Sequence, residues 1–152
     1  MVAMSDAPSF VAKSDSLRIL QSMRRIAQRV EQHSKHLNTT HDITSPQLIA
    51  LLAIAQLGPS TLKSIGLAIH LSPSTVVGIV DRLEEKKLAI RTRDALDRRN
   101  VFVALTVEGQ LLADDAPSAM PPGFVSALHA MPEEDRLALM AMLEKFAALL
   151  EV

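Results

Sequence analysis

Between residues 45 and 86 the chain carries three breaks that cut it into short helices, and this punctuation limits the fold more than any other feature. Ser45-Pro46 and Ser72-Pro73 are helix starts: the serine hydroxyl can accept from free backbone N–H groups, and proline at the first helical position has no N–H to leave unbonded. Gly58-Pro59 is a stop, and Ser60 behind it a further cap. The spacing predicts helices over 46–56, 61–69 and 73–86, with only His70 and Leu71 between the second and the Ser72 cap. The first is apolar nearly all round, as a helix at the centre of a domain would be. The second turns Leu62, Ile65 and Ile69 inward. The third gathers Val76, Ile79, Val80 and Leu83 on one face and leaves Ser74, Thr75, Gly78 and Arg82 on the other.

Past these helices the apolar period falls from about 3.6 to about 2. Leu88, Ile90 and Thr92 alternate with Ala89, Arg91 and Arg93, and after a turn at 94–99, Val101, Val103 and Leu105 alternate with Phe102 and Ala104. This is a two-stranded hairpin with a charged tip. Upstream, Ile19, Met23, Ile26, Val30, His33 and Leu37 form the seam of a helix over 15–37 that packs on another helix. Downstream, Thr106 caps a helix that Pro117, Pro121 and Pro122 interrupt. Pro132 then opens a last helix, with Glu133, Glu134 and Asp135 at its positive end and Leu137, Met140, Leu143, Ala147 and Leu150 in its apolar stripe.

The expected fold is therefore mainly α with a small β-hairpin wing. Residues 1–14 are read as a flexible arm, 15–45 as an N-terminal dimerisation helix, 46–105 as a winged helix-turn-helix lobe and 106–152 as C-terminal dimerisation helices. The longest purely apolar run, 48–55, is eight residues, far short of the roughly 20 that span a bilayer. No basic patch followed by an apolar run opens the chain, so a cytoplasmic, non-membrane protein is expected. The chain has no cysteine, which excludes disulfides, thiolate zinc sites and thiol redox sensing. No phosphate-cradling glycine loop, HExxH or strained-serine motif points to an enzyme.

Two short helices joined by a tight turn and followed by a charged hairpin are the layout of a winged helix-turn-helix. Its residue types suit DNA. Small polar side chains such as Ser74 and Thr75 near a helix start can approach base edges and phosphates in a major groove, and the free N–H groups there favour phosphate. Arg98 and Arg99 at the hairpin tip can reach a minor groove, whose negative potential attracts guanidinium. Asp94 and Asp97 are expected to orient the wing by pairing with nearby arginines. Arg82 is a candidate partner for Asp97, its other role being a phosphate contact. Net charge is −1, yet Lys and Arg exceed Asp and Glu by seven to four over 82–99 and by six to two over 10–40, while 116–152 is acidic by five to two. Such segregation often separates a partner surface from the rest.

Leu71-Ser72-Pro73-Ser74-Thr75-Val76, Val80-Asp81-Arg82-Leu83-Glu84, Leu88-Ala89-Ile90-Arg91, Asp94-Ala95-Leu96-Asp97-Arg98-Arg99 and Val103-Ala104-Leu105-Thr106-Val107-Glu108-Gly109 stand here in sequence. In this combination and spacing the chain resembles the MarR family of bacterial transcriptional regulators over about residues 15–150, most specifically over 60–109. The resemblance implies a triangular homodimer with interleaved first and last helices, and two winged lobes gripping a pseudo-palindromic site in double-stranded DNA. It implies 73–86 as the recognition helix and Arg99 as the minor-groove residue, within a DNA-binding set of Ser60, Thr61, Ser72, Ser74, Thr75, Val77, Gly78, Arg82, Arg98 and Arg99. It also implies a small-molecule effector, often aromatic or phenolic, in a cleft whose candidate lining is Met23, Ile26, His33, Leu48 and Leu52. There are three departures from the family pattern. Lys87 replaces a usual glycine, where a left-handed turn would carry a side-chain cost; Val77 and Gly78 replace threonine and arginine; and prolines 117–122 interrupt a long helix.

Gln32, His33, His36 and His41 offer nitrogen and oxygen ligands, but no second cluster at ligand spacing accompanies them. His33 reads as a structural histidine in a seam, with effector contact as the alternative. No metal or cofactor is expected. The function expected is sequence-specific transcriptional regulation, as an effector-responsive repressor. A different class of reading is a dimeric protein-interaction adaptor that keeps the winged helix without binding DNA, which the acidic C-terminal third would suit.

Overall fold

The break at Gly58-Pro59 leaves an almost wholly apolar helix, and in the computed structural model that helix is the hub of the fold. The structure describes residues 7–97 and 99–150. Its elements run α1 (Ala7–His41), α2 (Ser45–Leu57), β1 (Ser60–Thr61), α3 (Leu62–Ile69), α4 (Pro73–Glu85), β2 (Ala89–Arg93), β3 (Val101–Leu105), α5 (Val107–Asp114), α6 (Pro122–Ala130) and α7 (Glu133–Leu150). Helix α2 meets α1, α3, α4, α5 and β3. Its Leu48, Leu51 and Ile54 are buried together with Leu37, Ile43, Ile65, Val76, Val80, Leu83 and Val103. Mainly helical architecture with a small antiparallel wing is thus what the periodicity predicts.

Four helix boundaries differ from expectation. Helix α1 begins at Ala7, not near Asp15, and continues to His41: Thr39 and Thr40 donate their hydroxyls to the carbonyls of Lys35 and His36 at 3.0 and 2.8 Å, so the polar stretch extends the helix. Asp42, at φ 52°, then turns the chain. Thr44 is the cap residue of α2 and Ser45 its first helical residue, with the Gln47 side chain accepting from the Thr44 N–H at 3.3 Å. Ser60 does not cap α3. It lies in β1, and Thr61 is the cap, accepting from the Ser64 N–H at 3.2 Å.

The wing is a three-stranded antiparallel sheet in the order β1-β3-β2, not a two-stranded hairpin. Ser60 pairs with Val103, and β2 runs in register from Ala89 opposite Leu105 to Arg93 opposite Val101. A two-residue strand carries no alternation of its own; β3 creates it by pairing.

Residues 1–119 and 120–152 separate into two units. The first holds α1, the sheet and α2–α5, so α5 groups with the lobe: Leu112 and Ala113 pack against its core. The second holds α6, opened by Pro122 after the proline cluster, and α7, whose carbonyl of Pro132 accepts from the Arg136 N–H at 3.0 Å. No described residue of α6 or α7 is fully buried.

Candidate nucleic-acid interface

Helices α3 and α4 turn through 106° at their junction, within the roughly 90–120° of a helix-turn-helix. The close approach depends on Gly66, where a Cβ would stand 2.9 Å from the Leu71 carbonyl and 3.3 Å from Val76. Helix α4 starts from Ser72, whose Oγ accepts from the Thr75 N–H at 3.3 Å and lies 2.8 and 3.1 Å from the hydroxyls of Thr75 and Ser74. Val76, Ile79, Val80 and Leu83 are buried beneath. Ser74, Thr75, Val77, Gly78, Asp81, Arg82 and Glu85 are exposed. Gly78 has nothing within 4 Å of an added Cβ, so the middle of this face is open.

The carboxylates on the exposed face are each held by an arginine. Arg82 Nη1 lies 2.7 Å from Glu85, not against Asp97, which corrects the expected pairing. Arg91 of β2 grips both Asp81, at 2.7 Å, and Glu84, and its backbone N–H donates to Glu84 Oε1 at 3.0 Å. This fork ties the wing to α4. Sequence reasoning missed it, although Asp81 and Glu84 stand one helical turn apart on one face and so converge on a single guanidinium.

The wing tip is fixed by its own backbone. Asp94 Oδ1 accepts from the Leu96 N–H at 2.9 Å and Asp97 Oδ1 from the Arg99 N–H at 3.0 Å. The Asp94 N–H donates to the Asn100 carbonyl at 3.0 Å, and the Asn100 N–H to that of Asp97 at 2.9 Å. Both aspartates therefore bond to backbone N–H groups, and neither pairs with an arginine among the described residues. The exposed Arg99 meets no carboxylate among the described residues. Arg98 lies outside the described residues.

The C-terminus of α4 ends in a Schellman turn: the Leu88 N–H bonds the Leu83 carbonyl and the Lys87 N–H that of Glu84, both at 2.8 Å. Lys87 sits at φ 60°, in the left-handed region. Thr106 Oγ1 donates to the Lys87 carbonyl at 2.7 Å and accepts from the Gly109 N–H at 3.0 Å. At Gly109 a Cβ would stand 1.9 Å from the Leu88 carbonyl oxygen. The Leu-Thr-x-x-Gly signature is therefore a joint between α4, β2 and α5. Lys86 completes it by bonding the carbonyl and carboxylate of Asp42 at the end of α1.

Other expected site residues are dispersed. Ser60 is buried and donates its hydroxyl to the Gly58 carbonyl at 2.9 Å, so it is not presented for phosphate, while Thr61 is half-buried at the start of α3. Of the candidate effector lining, Leu48 is fully buried in the core and Leu52 packs against it. His33 is buried, its Nε2–H donating to the Ser118 carbonyl at 2.8 Å. Met23 and Ile26 are exposed on α1. These five do not surround one cavity. Two surface depressions lie elsewhere, one beside Ser34, Asn38 and Thr44 and one along Arg18, Ser22 and Arg25. Among the described residues no group of His, Asp or Glu is placed to hold a metal ion, and no single helix is long and apolar enough to cross a membrane.

Residues 43–101 match the family model described as MarR family. The chain is similar to the HTH-type transcriptional regulator MhqR of Bacillus subtilis, 30% identical over 66% of this chain and 69% of that protein. It is also similar to YsmB of the same organism, an uncharacterized HTH-type transcriptional regulator, 30% identical over 64% of this chain and 66% of that one. The match thus spans about two thirds of each of these relatives. Among solved structures, the S. aureus MepR–DNA complex superposes with a TM-score of 0.74 at 27% identity, covering 86% of this chain and 96% of MepR. Bordetella bronchiseptica BpsR, whose DNA binding is regulated by 6-hydroxynicotinic acid, gives 0.70 at 25% identity, covering 86% of this chain and 98% of BpsR.

Proposed function

Because the chain belongs to the MarR family, we propose that it is a sequence-specific DNA-binding transcriptional regulator, acting as a homodimer on a pseudo-palindromic operator and as an effector-responsive repressor. The observation that carries this reading is the pairing of an open α4 face with a wing whose Arg99 meets no carboxylate among the described residues. Ser74, Thr75 and Val77 read base edges and methyl groups in the major groove, where the bare Gly78 allows close approach. Thr61, Ser72 and Arg82 contact phosphates, and Arg98 and Arg99 enter the minor groove. Asp81 and Glu85 do not oppose this, since arginines neutralise both.

Dimerisation is supported by apolar side chains left open on single helices. Leu17, Ile19, Leu20 and Ile26 of α1 are 46–56% exposed, and Leu137, Met140 and Leu143 of α7 are 49–56% exposed. Two copies would set two α4 helices about one DNA turn apart. A small-molecule effector, as for BpsR, would act by changing that spacing; Met23 and Ile26 are the exposed candidates to meet it, and His33 serves as a structural tie.

Fluorescence anisotropy with a labelled fragment from upstream of the protein's own gene, and with genomic fragments recovered by selection, tests the reading against a scrambled duplex at two salt concentrations. Sequence-preferring affinity should fall about a thousandfold between roughly 50 and 200 mM salt if about six phosphates are neutralised. A protein that prefers no recovered fragment over the scrambled duplex refutes the proposal and leaves the adaptor reading.

A further inference from the structure

We infer that Leu96 is an apolar contact of the wing with the minor groove, adding affinity that does not depend on salt; this rests on the DNA-binding reading above. Leu96 is 98% exposed, and no other large hydrophobic among the described residues is as exposed. The leucines and isoleucines open on α1 and α7 lie in helical stripes that a second copy can cover. Leu96 lies in no stripe. It stands at the tip of the wing, three residues before Arg99 and beside the small Ala95.

The tip also holds Leu96 in place. Its own N–H is bound by Asp94 Oδ1 at 2.9 Å, and the turn is closed by the bond from the Asp94 N–H to the Asn100 carbonyl at 3.0 Å. Asp97 bonds the Arg99 N–H at 3.0 Å, so both flanking carboxylates are engaged with the backbone. Leu96 and Arg99, both exposed, thus stand three residues apart on a turn closed by backbone hydrogen bonds. A minor groove is about 6 Å wide and its deoxyribose walls offer apolar carbon to an isobutyl group; minor-groove proteins also insert leucine side chains between base steps. Arg99 supplies the counterion-releasing contact. Leu96 supplies burial, which releases no ion.

The two contributions separate in one experiment: anisotropy titrations of wild type, Leu96→Ala, Leu96→Met and Arg99→Ala across a salt series on a duplex recovered by genomic selection. Leu96→Ala should weaken binding about five- to thirtyfold with the slope of log affinity against log salt unchanged. Leu96→Met should stay within about twofold, since thioether and isobutyl bury similar apolar area. Arg99→Ala should lower the slope by about 1. Circular dichroism melts of the leucine variants should match wild type, because the side chain is in water. Unchanged affinity of Leu96→Ala, or a loss accompanied by a smaller salt slope, overturns the inference while the DNA-binding reading stands. Failure of the wild type to prefer any recovered duplex overturns the reading itself.

Discussion

Lys87→Gly should stabilise this protein. Lys87 is the left-handed residue of the Schellman turn that ends α4, at φ 60°, with its N–H bonded to the Glu84 carbonyl and its own carbonyl accepting from Thr106 Oγ1. A residue with a Cβ gives up about 1–2 kcal/mol in this conformation. Glycine relieves that strain but loses about 0.5–1 kcal/mol more backbone entropy on folding. The difference leaves a net gain of about 0.5–1 kcal/mol, or a rise of about 1–4 °C in Tm for a chain of this length. The chain has no Trp or Tyr, so urea unfolding is best followed by circular dichroism, at one fixed protein concentration because an oligomer's stability depends on it. The midpoint should rise with m unchanged. Lys87→Ala is the control: it removes the same charge beside Lys86 yet keeps the Cβ, and should move the midpoint little. If Lys87→Ala stabilises as much as Lys87→Gly, charge is the cause and the conformational argument fails. If glycine lowers the midpoint, the turn is not strained at this residue.

Gly109→Ala should destabilise the fold by more than about 3 kcal/mol, or leave it unable to refold, because the methyl would stand 1.9 Å from the Leu88 carbonyl oxygen, an overlap far beyond ordinary overpacking; a mutant melting within a degree or two of wild type would refute the close approach. Ile26→Asp on α1 and Leu143→Asp on α7, at residues 56% and 50% exposed, should each fold yet sediment as monomer, since a carboxylate in an apolar seam has no partner. Persistence of a dimer in both would remove these stripes from the interface. Arg99→Ala should weaken operator binding while leaving sedimentation unchanged, and an unaltered affinity at matched salt would take the wing arginine out of recognition.

What was legible in the sequence is what nearest neighbours decide. The Ser72-Pro73 start of α4, the Thr106 cap of α5 and the burial of α2 follow from residues within one or two turns of each other, and the structure bears each out. What escaped is set by distant pairing. Strand β1 exists because β3 lies beside Ser60 and Thr61, and that pairing shifts the α3 cap by one residue. Arg91 rather than Arg82 became the tie between helix and wing because the rotation of β2 against α4 is a tertiary quantity, invisible to periodicity. Leu48, a candidate for the cleft by resemblance, lies fully buried in the core, as its nearly all-apolar helix argues.

The motif residues separate accordingly into two kinds. Gly66, Lys87, Thr106 and Gly109 touch backbone or its immediate packing, and with the Arg91 fork and the Lys86–Asp42 tie they fix where α4 lies. Changes at Gly66, Lys87, Thr106 and Gly109 must register first as stability, because each alters contacts that exist before any partner arrives. Ser74, Thr75, Val77, Leu96 and Arg99 present exposed surface that no core packing needs. Substitutions there should leave unfolding nearly unmoved and act on affinity alone. The same signature therefore holds residues that build the proposed reading surface beside residues proposed to do the reading, and a mutation's effect on melting separates the two kinds.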